Sequence, residues 1–563
     1  MTTTPSLHLL LSHADDHQPA LAEGLADEAA HRVTAPTRLP EAQNLRDLGR
    51  DPNDLRDQRW GLIVPEGEAG KRLEALVRPL IDKRREEQGG HEVRVYRVPA
   101  RMDPDEAVRW HRHVYQDESI PESELPFYQL ILGDLDQVPL ALQQVQMVDG
   151  VVGRVAFDDD RGYEAYVDKL LRWERAPAPI PRARSLFFTA HDGTGATTLG
   201  YQALVSPGLT IARKDSEHGG YEAGDIVELG DPHRRPNPDE LLAAVATGDP
   251  AVLLSLSHGD GAPRGGWASA DEQRRLQGAM SFGSGGVLAG HDLAARSFLP
   301  GGIWFMFACY GAGTPDTSVY RPWLEGLRQL GHYGGRVDSV LRSLPKPGDR
   351  PFVASLPKAV LANPDGPIAV MGHVDLAWSY SFQELDSSVG PKNRVRRFTS
   401  LLNHAVRRDR VGVAFRELAV CAIMADTELL TLYARQAAEA TDLTPDQKAR
   451  LGHLWMLRQD LIGYILLGDP AARLPITPAP VVEARPLTAH DLFPFAGVVG
   501  TPSPTTVSVE RLEEAICHVL IGERGTKAIA QEYGIDRTEL ERLAGLYRDA
   551  GRAAIYRDRK LRM

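Results

Sequence analysis

His258 and Cys309 place an imidazole and a thiol just beyond two apolar runs, a pairing suited to nucleophilic catalysis. The first run, Ala251 to Ser257, leads into His258-Gly259-Asp260. The second, Ile303 to Ala308, leads into Cys309-Tyr310-Gly311-Ala312-Gly313. Short apolar segments that stop at glycine read as buried strands of a parallel sheet, covered on both faces and so lacking polar alternation. In open α/β sheets functional side chains collect at the carboxyl ends of strands. In a shared crevice there, the imidazole can remove the thiol proton, or the pair can exist as thiolate and imidazolium with a depressed thiol pKa. Gly259 would let a substrate carbonyl approach closely, so that the N–H groups of Gly259 and Cys309 form an oxyanion hole.

The two residues are 51 positions apart. That spacing accommodates one right-handed crossover from strand to helix and back, with an extra hairpin. Of the remaining cysteines, Cys421 lies in a helical apolar stretch and Cys517 in an amphipathic helix, so both read as core. Asp260 and Asp292 are loop acids able to orient an imidazole or to act as turn and cap residues. His191-Asp192-Gly-Thr-Gly195 is a glycine-rich loop after a strand, and His373-Val-Asp375 also follows one. Asp192, Asp375 and Trp378 are therefore the candidate specificity-pocket residues. A buried acid among them would favour a basic P1 side chain; the competing role for His373 and Asp375 is structural hydrogen bonding.

The elements that must position these groups alternate between strand and helix. Strands are expected at 61–65, 93–99 and 128–133, with a helix over 72–86, and then at 185–189, 225–229, 251–257, 303–308 and 367–371. A helix over 163–173 precedes the Pro-rich stretch 175–184. Two long helices are expected near 410–438 and 444–464, the first with an amphipathic pattern suited to packing on a sheet. A second Pro-rich stretch runs from Pro475 to Pro504 and excludes regular structure. The resulting domains are an α/β unit over 1–174, a second over 185–475, a linker over 476–504 and a helical module over 505–563.

Ser257-His258-Gly259 with Ala308-Cys309-Tyr310-Gly311-Ala312-Gly313 resembles the signature of caspase-fold cysteine peptidases of the gingipain and CHAT-domain type. The segments 127–139, 151–158, 367–378 and 464–475 resemble further blocks of such enzymes, so the likeness spans roughly 55 to 475. It implies a caspase-like three-layer α/β sheet with an amino-terminal α/β subdomain. It also implies that His258 is the general base and Cys309 the nucleophile forming an acyl-enzyme. Intracellular bacterial relatives often act on one dedicated protein partner in defence or regulated cell death. By that resemblance the substrate is a protein, with the product of a neighbouring gene as the candidate.

Composition is compatible. With 563 residues, 42% hydrophobic residues and a net charge of −12, several cores can form, and a globally nucleic-acid-binding surface is not favoured. Three cysteines exclude a disulfide framework and fit a reducing interior. The amino terminus lacks the basic region and apolar length of a secretory signal, and no stretch is long enough to span a bilayer. The expectation is a cytoplasmic protein with no membrane partner. Eighteen histidines show no metal-ligand spacing, so neither a metal nor a cofactor is expected.

At the carboxyl end, Lys527 to Leu543 reads as a helix-turn-helix, with Gly534 at the turn and Asp536 and Glu539 as a capping box. Between Glu523 and Met563 there are ten Arg and Lys against seven Asp and Glu. That thin positive excess favours protein docking over DNA. The expected function is an intracellular cysteine endopeptidase acting through His258 and Cys309. The alternative is a DNA-binding regulator or scaffold whose protease-like domain senses a partner.

Overall fold

A computed structural model describes residues 6–26, 29, 51–176, 180–331, 333–346, 348–384, 394–439 and 443–477, with 531 and 540. Residues 1–478 form one compact unit and 479–563 another. Apart from 531 and 540, the expected helix-turn-helix lies outside the described residues, as does Cys517.

Buried apolar runs build a ten-stranded sheet. Its spatial order is Arg94–Val98, Trp60–Pro65, Tyr128–Leu132, Val151–Val155, Tyr464–Gly468, Ala369–His373, Ile303–Phe307, Ala251–Leu256, Arg184–Thr189 and Ile226–Leu229. Every neighbouring pair is parallel except Ala369–His373 against Tyr464–Gly468. Two parallel halves thus meet at one antiparallel junction, and the chain passes between them from the helix Asp160–Arg175 to the strand Arg184–Thr189. The central strands are buried along their whole length, as a parallel sheet covered on both faces requires. The molecule is therefore a mixed α/β structure with helices packed on a central sheet.

The long helices are Val411–Glu439 and Pro445–Ile462, the second opened by a Thr444/Gln447 capping box. The single helix expected over 72–86 is instead two, Gly67–Leu76 and Arg78–Glu87, with Pro79 in the first turn of the second. Proline is at home there and breaks a longer helix.

Two further features depart from the expected pattern. The strand of His258 does not continue Ala251–Leu256. After Ser257, His258–Gly261 joins a separate four-stranded sheet ordered Val287–Leu288, Met280–Ser281, His258–Gly261 and Leu11–His13. The hairpin expected between His258 and Cys309 is the pair Met280–Ser281 and Val287–Leu288. The fourth strand comes from the amino terminus, which the sequence did not mark as structured. Among the described residues, no helix is long and apolar enough to cross a membrane.

Candidate active site

His258 and Cys309 each stand two residues beyond the ends of Ala251–Leu256 and Ile303–Phe307, which are adjacent parallel strands. A parallel register carries both ends to the same edge, so the crossover between them places His258 and Cys309 at one edge of the sheet. Gly259 fixes the spacing. A Cβ there would lie 1.8 Å from the carbonyl oxygen of Cys309, so only glycine lets the two backbones pass this closely. The close approach that Gly259 permits is thus to the Cys309 backbone itself. Tyr310 follows at φ 56°, a left-handed conformation uncommon for an aromatic residue and found where surrounding contacts over-determine the chain. Its N–H donates to the Asp375 carbonyl at 2.9 Å.

One oxygen organises the site. The N–H groups of Gly259 and Cys309, the expected oxyanion-hole donors, both donate to the Leu10 carbonyl, at 2.8 and 3.2 Å. The imidazole is held on its other side. His258 Nε2 lies 3.0 Å from Thr194 Oγ1 and 3.6 Å from Asp192 Oδ2. Asp192 Oδ1 accepts from the Thr194 N–H at 3.0 Å and the Thr197 hydroxyl at 2.6 Å. The Asp192 carboxylate thus lies beside the imidazole, in a loop that its own hydrogen bonds to Thr194 and Thr197 hold in place.

Of the two acids considered as orienters, neither touches His258. Asp260 accepts a short hydrogen bond from the Ser12 hydroxyl and lies 3.3 Å from His17 Nδ1. Asp292 accepts from the Ala289 N–H at 2.9 Å, closing the first turn of a short helix.

Cys309 faces the segment after Ala369–His373. Its sulfur accepts from the Ala377 N–H at 3.2 Å, and among the described residues no hydrogen bond joins it to His258. That segment is rigidly braced. Asp460 accepts from the N–H groups of Trp378 and Ser381, both at 2.8 Å. His373 Nδ1 accepts from the Asp375 N–H at 3.0 Å, and Nε2 donates to the Asp460 carbonyl at 3.1 Å. Burial lowers His373 to about 4, so the ring is neutral at physiological pH. Asp375 accepts from the N–H groups of Leu376 and Val319, at 2.7 and 3.0 Å, and burial pushes its carboxyl up to about 7. Both residues are committed to backbone partners, and Asp375 is not an unpaired acid awaiting a basic P1 side chain. Trp378 is buried edge-on against Tyr320 and Trp323.

A cavity of about 980 Å³ is lined by Asp136, Asp316, Arg350, His373, Asp375 and Gln459 among others. Neither His258 nor Cys309 reaches it.

The crevice expected to be open at this pair is closed in the structure. Both side chains have 0% exposure. Burial pushes the Cys309 thiol well up, against smaller lowering effects from the Ala377 and Leu10 backbones. Burial likewise lowers His258, opposed by the Asp192 carboxylate and the Leu10 backbone. A charged pair without water is costly, so this closed site holds neutral thiol and neutral imidazole. Cys421 is half-buried on the helix Val411–Glu439, and burial raises its thiol too. Among the described residues no cluster of His, Cys, Asp or Glu is placed to hold a metal.

The residues missed in the sequence are Leu10, Thr194, Ala377 and Asp460. Thr194 had a local signal as a cap preceding the helix Gly195–Gly200; Leu10 had none.

No family model matches the chain, and no curated protein does. Similar solved structures include the Arg-specific cysteine proteinase gingipain R, 14% identical over 74% of this chain and 78% of that one, with a TM-score of 0.41. A complex of the RgpB pro- and mature domains from Porphyromonas gingivalis is 14% identical over 74% and 79%, with a TM-score of 0.40. The Saccharomyces cerevisiae separase–securin complex is 11% identical, with 71% of this chain covering 20% of that one and a TM-score of 0.23.

Proposed function

We propose that this chain is a caspase-like cysteine endopeptidase of the gingipain type, acting through Cys309 and His258. One observation carries the reading: two backbone N–H groups converge on a single peptide carbonyl beside a thiol and an imidazole. Donors so arranged stabilise the oxyanion that forms when a nucleophile adds to that carbonyl.

In the opened site, His258 takes the Cys309 proton and the sulfur adds to the carbonyl carbon. The tetrahedral oxyanion rests on the Gly259 and Cys309 N–H groups. As it collapses, the carbon–nitrogen bond breaks and the imidazolium protonates the leaving amine. Water, deprotonated by His258, then hydrolyses the thioester to release the acid and regenerate the thiol. Asp192 and Thr194 hold the imidazole and stabilise its charged form. No metal or cofactor enters this scheme.

The substrate is proposed to be a protein, encoded by a neighbouring gene, in a bacterial defence or regulated cell-death system in the cytoplasm. The module over 505–563 is proposed to dock a protein in preference to DNA. The test is to incubate proteins encoded beside this one with wild type and with Cys309→Ala. Cleavage by wild type alone is expected. Equal cleavage by both would remove Cys309 from the reaction, and duplex DNA binding with strong salt dependence would favour the regulator reading.

A further inference from the structure

The carbonyl in the site belongs to the protein itself, and the chain around it lies as a substrate would. On one side of Leu10, Leu9 pairs antiparallel with Trp378, next to the Ala377 that contacts the Cys309 sulfur. On the other side, Leu11–His13 runs parallel to Gly259–Gly261 in the register Leu11 to Gly259, Ser12 to Asp260 and His13 to Gly261. The Leu10–Leu11 peptide is thus flanked by strand pairing on both sides, with its carbonyl on the two convergent donors. Leu9, Leu10 and Leu11 are all buried. The Leu11 side chain fits over Gly261, where a Cβ would stand 2.5 Å from its Cδ1.

The segment is also folded to stay. It reverses at residues 13–17, returns so that the Ala20 N–H donates to the Leu11 carbonyl at 2.8 Å, and pairs Leu25–Ala26 with Ser6–Leu7. Asp260 ties it down through Ser12 and His17. We propose that residues 6–13 are a cis-acting occupant of the substrate groove, with Leu10 in the acyl position, and that the groove takes extended chains bearing leucine-like residues on both sides of the scissile bond. This rests on the endopeptidase reading and adds its substrate class and its closed state. An apolar acyl-side residue also agrees with the commitment of Asp192 and Asp375 to other partners. With the groove filled, no water reaches the thiol.

The test uses the full-length protein, wild type and two variants that loosen the strap. Leu9→Asp with Leu11→Asp places charges where the strap is buried. Ser12→Pro is milder and removes a strand N–H. Amide exchange at Gly259 and Cys309 is measured alongside the rate at which peptidyl electrophiles ending in leucine or arginine modify Cys309. Both variants are expected to speed exchange and leucyl labelling by about tenfold or more. The leucyl reagent should outrun the arginyl one by a similar factor, and a peptide of residues 6–26 added in trans should slow it.

Amides that stay protected in both variants, a wild type labelled as fast as the variants, or a preference for arginine would each overturn the proposal. Amides that open while Cys309 remains inert to every reagent would uphold the strap and count against the nucleophile.

Discussion

The two halves of the ten-stranded sheet end in opposite ways. In the half that includes Tyr128–Leu132 and Val151–Val155, polar groups near the strand ends are tied into one network. The Arg154 guanidinium donates to Gln143 Oε1 and to the carbonyls of Gly133, Asp134 and Val138, at 2.8 to 3.1 Å. Lys358 Nζ donates to Asp134 at 2.7 Å and Asp158 at 2.8 Å, while Asp134 also accepts the Val353 N–H at 2.6 Å. In the half that includes Ala251–Leu256 and Ile303–Phe307, the strand ends carry an imidazole, a thiol and two N–H groups whose shared acceptor is borrowed from the amino terminus. The same architecture thus ends once in bonds that hold the fold and once in bonds that an incoming chain can replace. Polar groups satisfied by a displaceable partner mark function, whereas those satisfied within the core mark stability.

Substitutions should separate the halves. The largest effect is on turnover: Cys309→Ala and His258→Ala should each abolish cleavage, about a thousandfold or more, and the double variant should be no worse because the pair acts as a unit. Thermal unfolding should barely move for Cys309→Ala, which removes a single buried atom. In the other half Lys358→Met should do the reverse, costing about 3 kcal/mol of stability by leaving Asp134 buried without its cation, with intrinsic labelling of Cys309 retained at a temperature where the variant is folded. A Lys358→Met protein that is fully stable but inactive would erase the distinction.

Asp192→Asn probes the support of the base. Because the Asp192 carboxylate raises His258 against the lowering effect of burial, its loss should lower kcat by about a hundredfold and shift the acid limb of the pH–rate profile to lower pH. An unchanged profile would return Asp192 to a pocket-lining role.

The smallest expected effect is on the strap. Its hydrogen bond to Asp260 raises His17, against partial burial, and Asp260, Asp15 and Asp16 add to the rise. Since His17 lies above its ordinary value, the ion pair strengthens the closed state below about pH 6.5 and fades as pH climbs through the raised value. The lower edge of that window is set by Asp260, which burial raises and which also faces Ser12 and His13. Exchange at the Gly259 amide, corrected for its intrinsic pH dependence, should rise a few-fold across the upper part of the window in wild type. His17→Ala should remove the trend.

Much of the half that carries His258 and Cys309 was legible because its strands are continuous apolar runs that stop at glycine, and because adjacent parallel strands must present the two residues at one edge. The brace from Asp192 was less so. Its loop follows Arg184–Thr189, the parallel neighbour of Ala251–Leu256, so it reaches the imidazole only through a strand order that sequence spacing does not state. Asp460 supports the site from the end of a helix more than eighty residues beyond Trp378, again without a local pattern. The strap was illegible for a different reason. Leu11–His13 is too short to show a period, and Leu7 to Leu11 reads as an ordinary apolar run until it is placed against Gly259, 248 residues away. That placement also buries both side chains, and burial raises the Cys309 thiol and lowers the His258 imidazole.

The most direct measurement is to map covalent adducts on the full-length Leu9→Asp, Leu11→Asp protein after treatment with a leucyl peptide electrophile, residue by residue, by mass spectrometry. Modification at Cys309 alone is expected, disappearing when His258→Ala is added. Modification at Cys421 or Cys517 in its place, or labelling of Cys309 that persists undiminished without His258, would contradict the account.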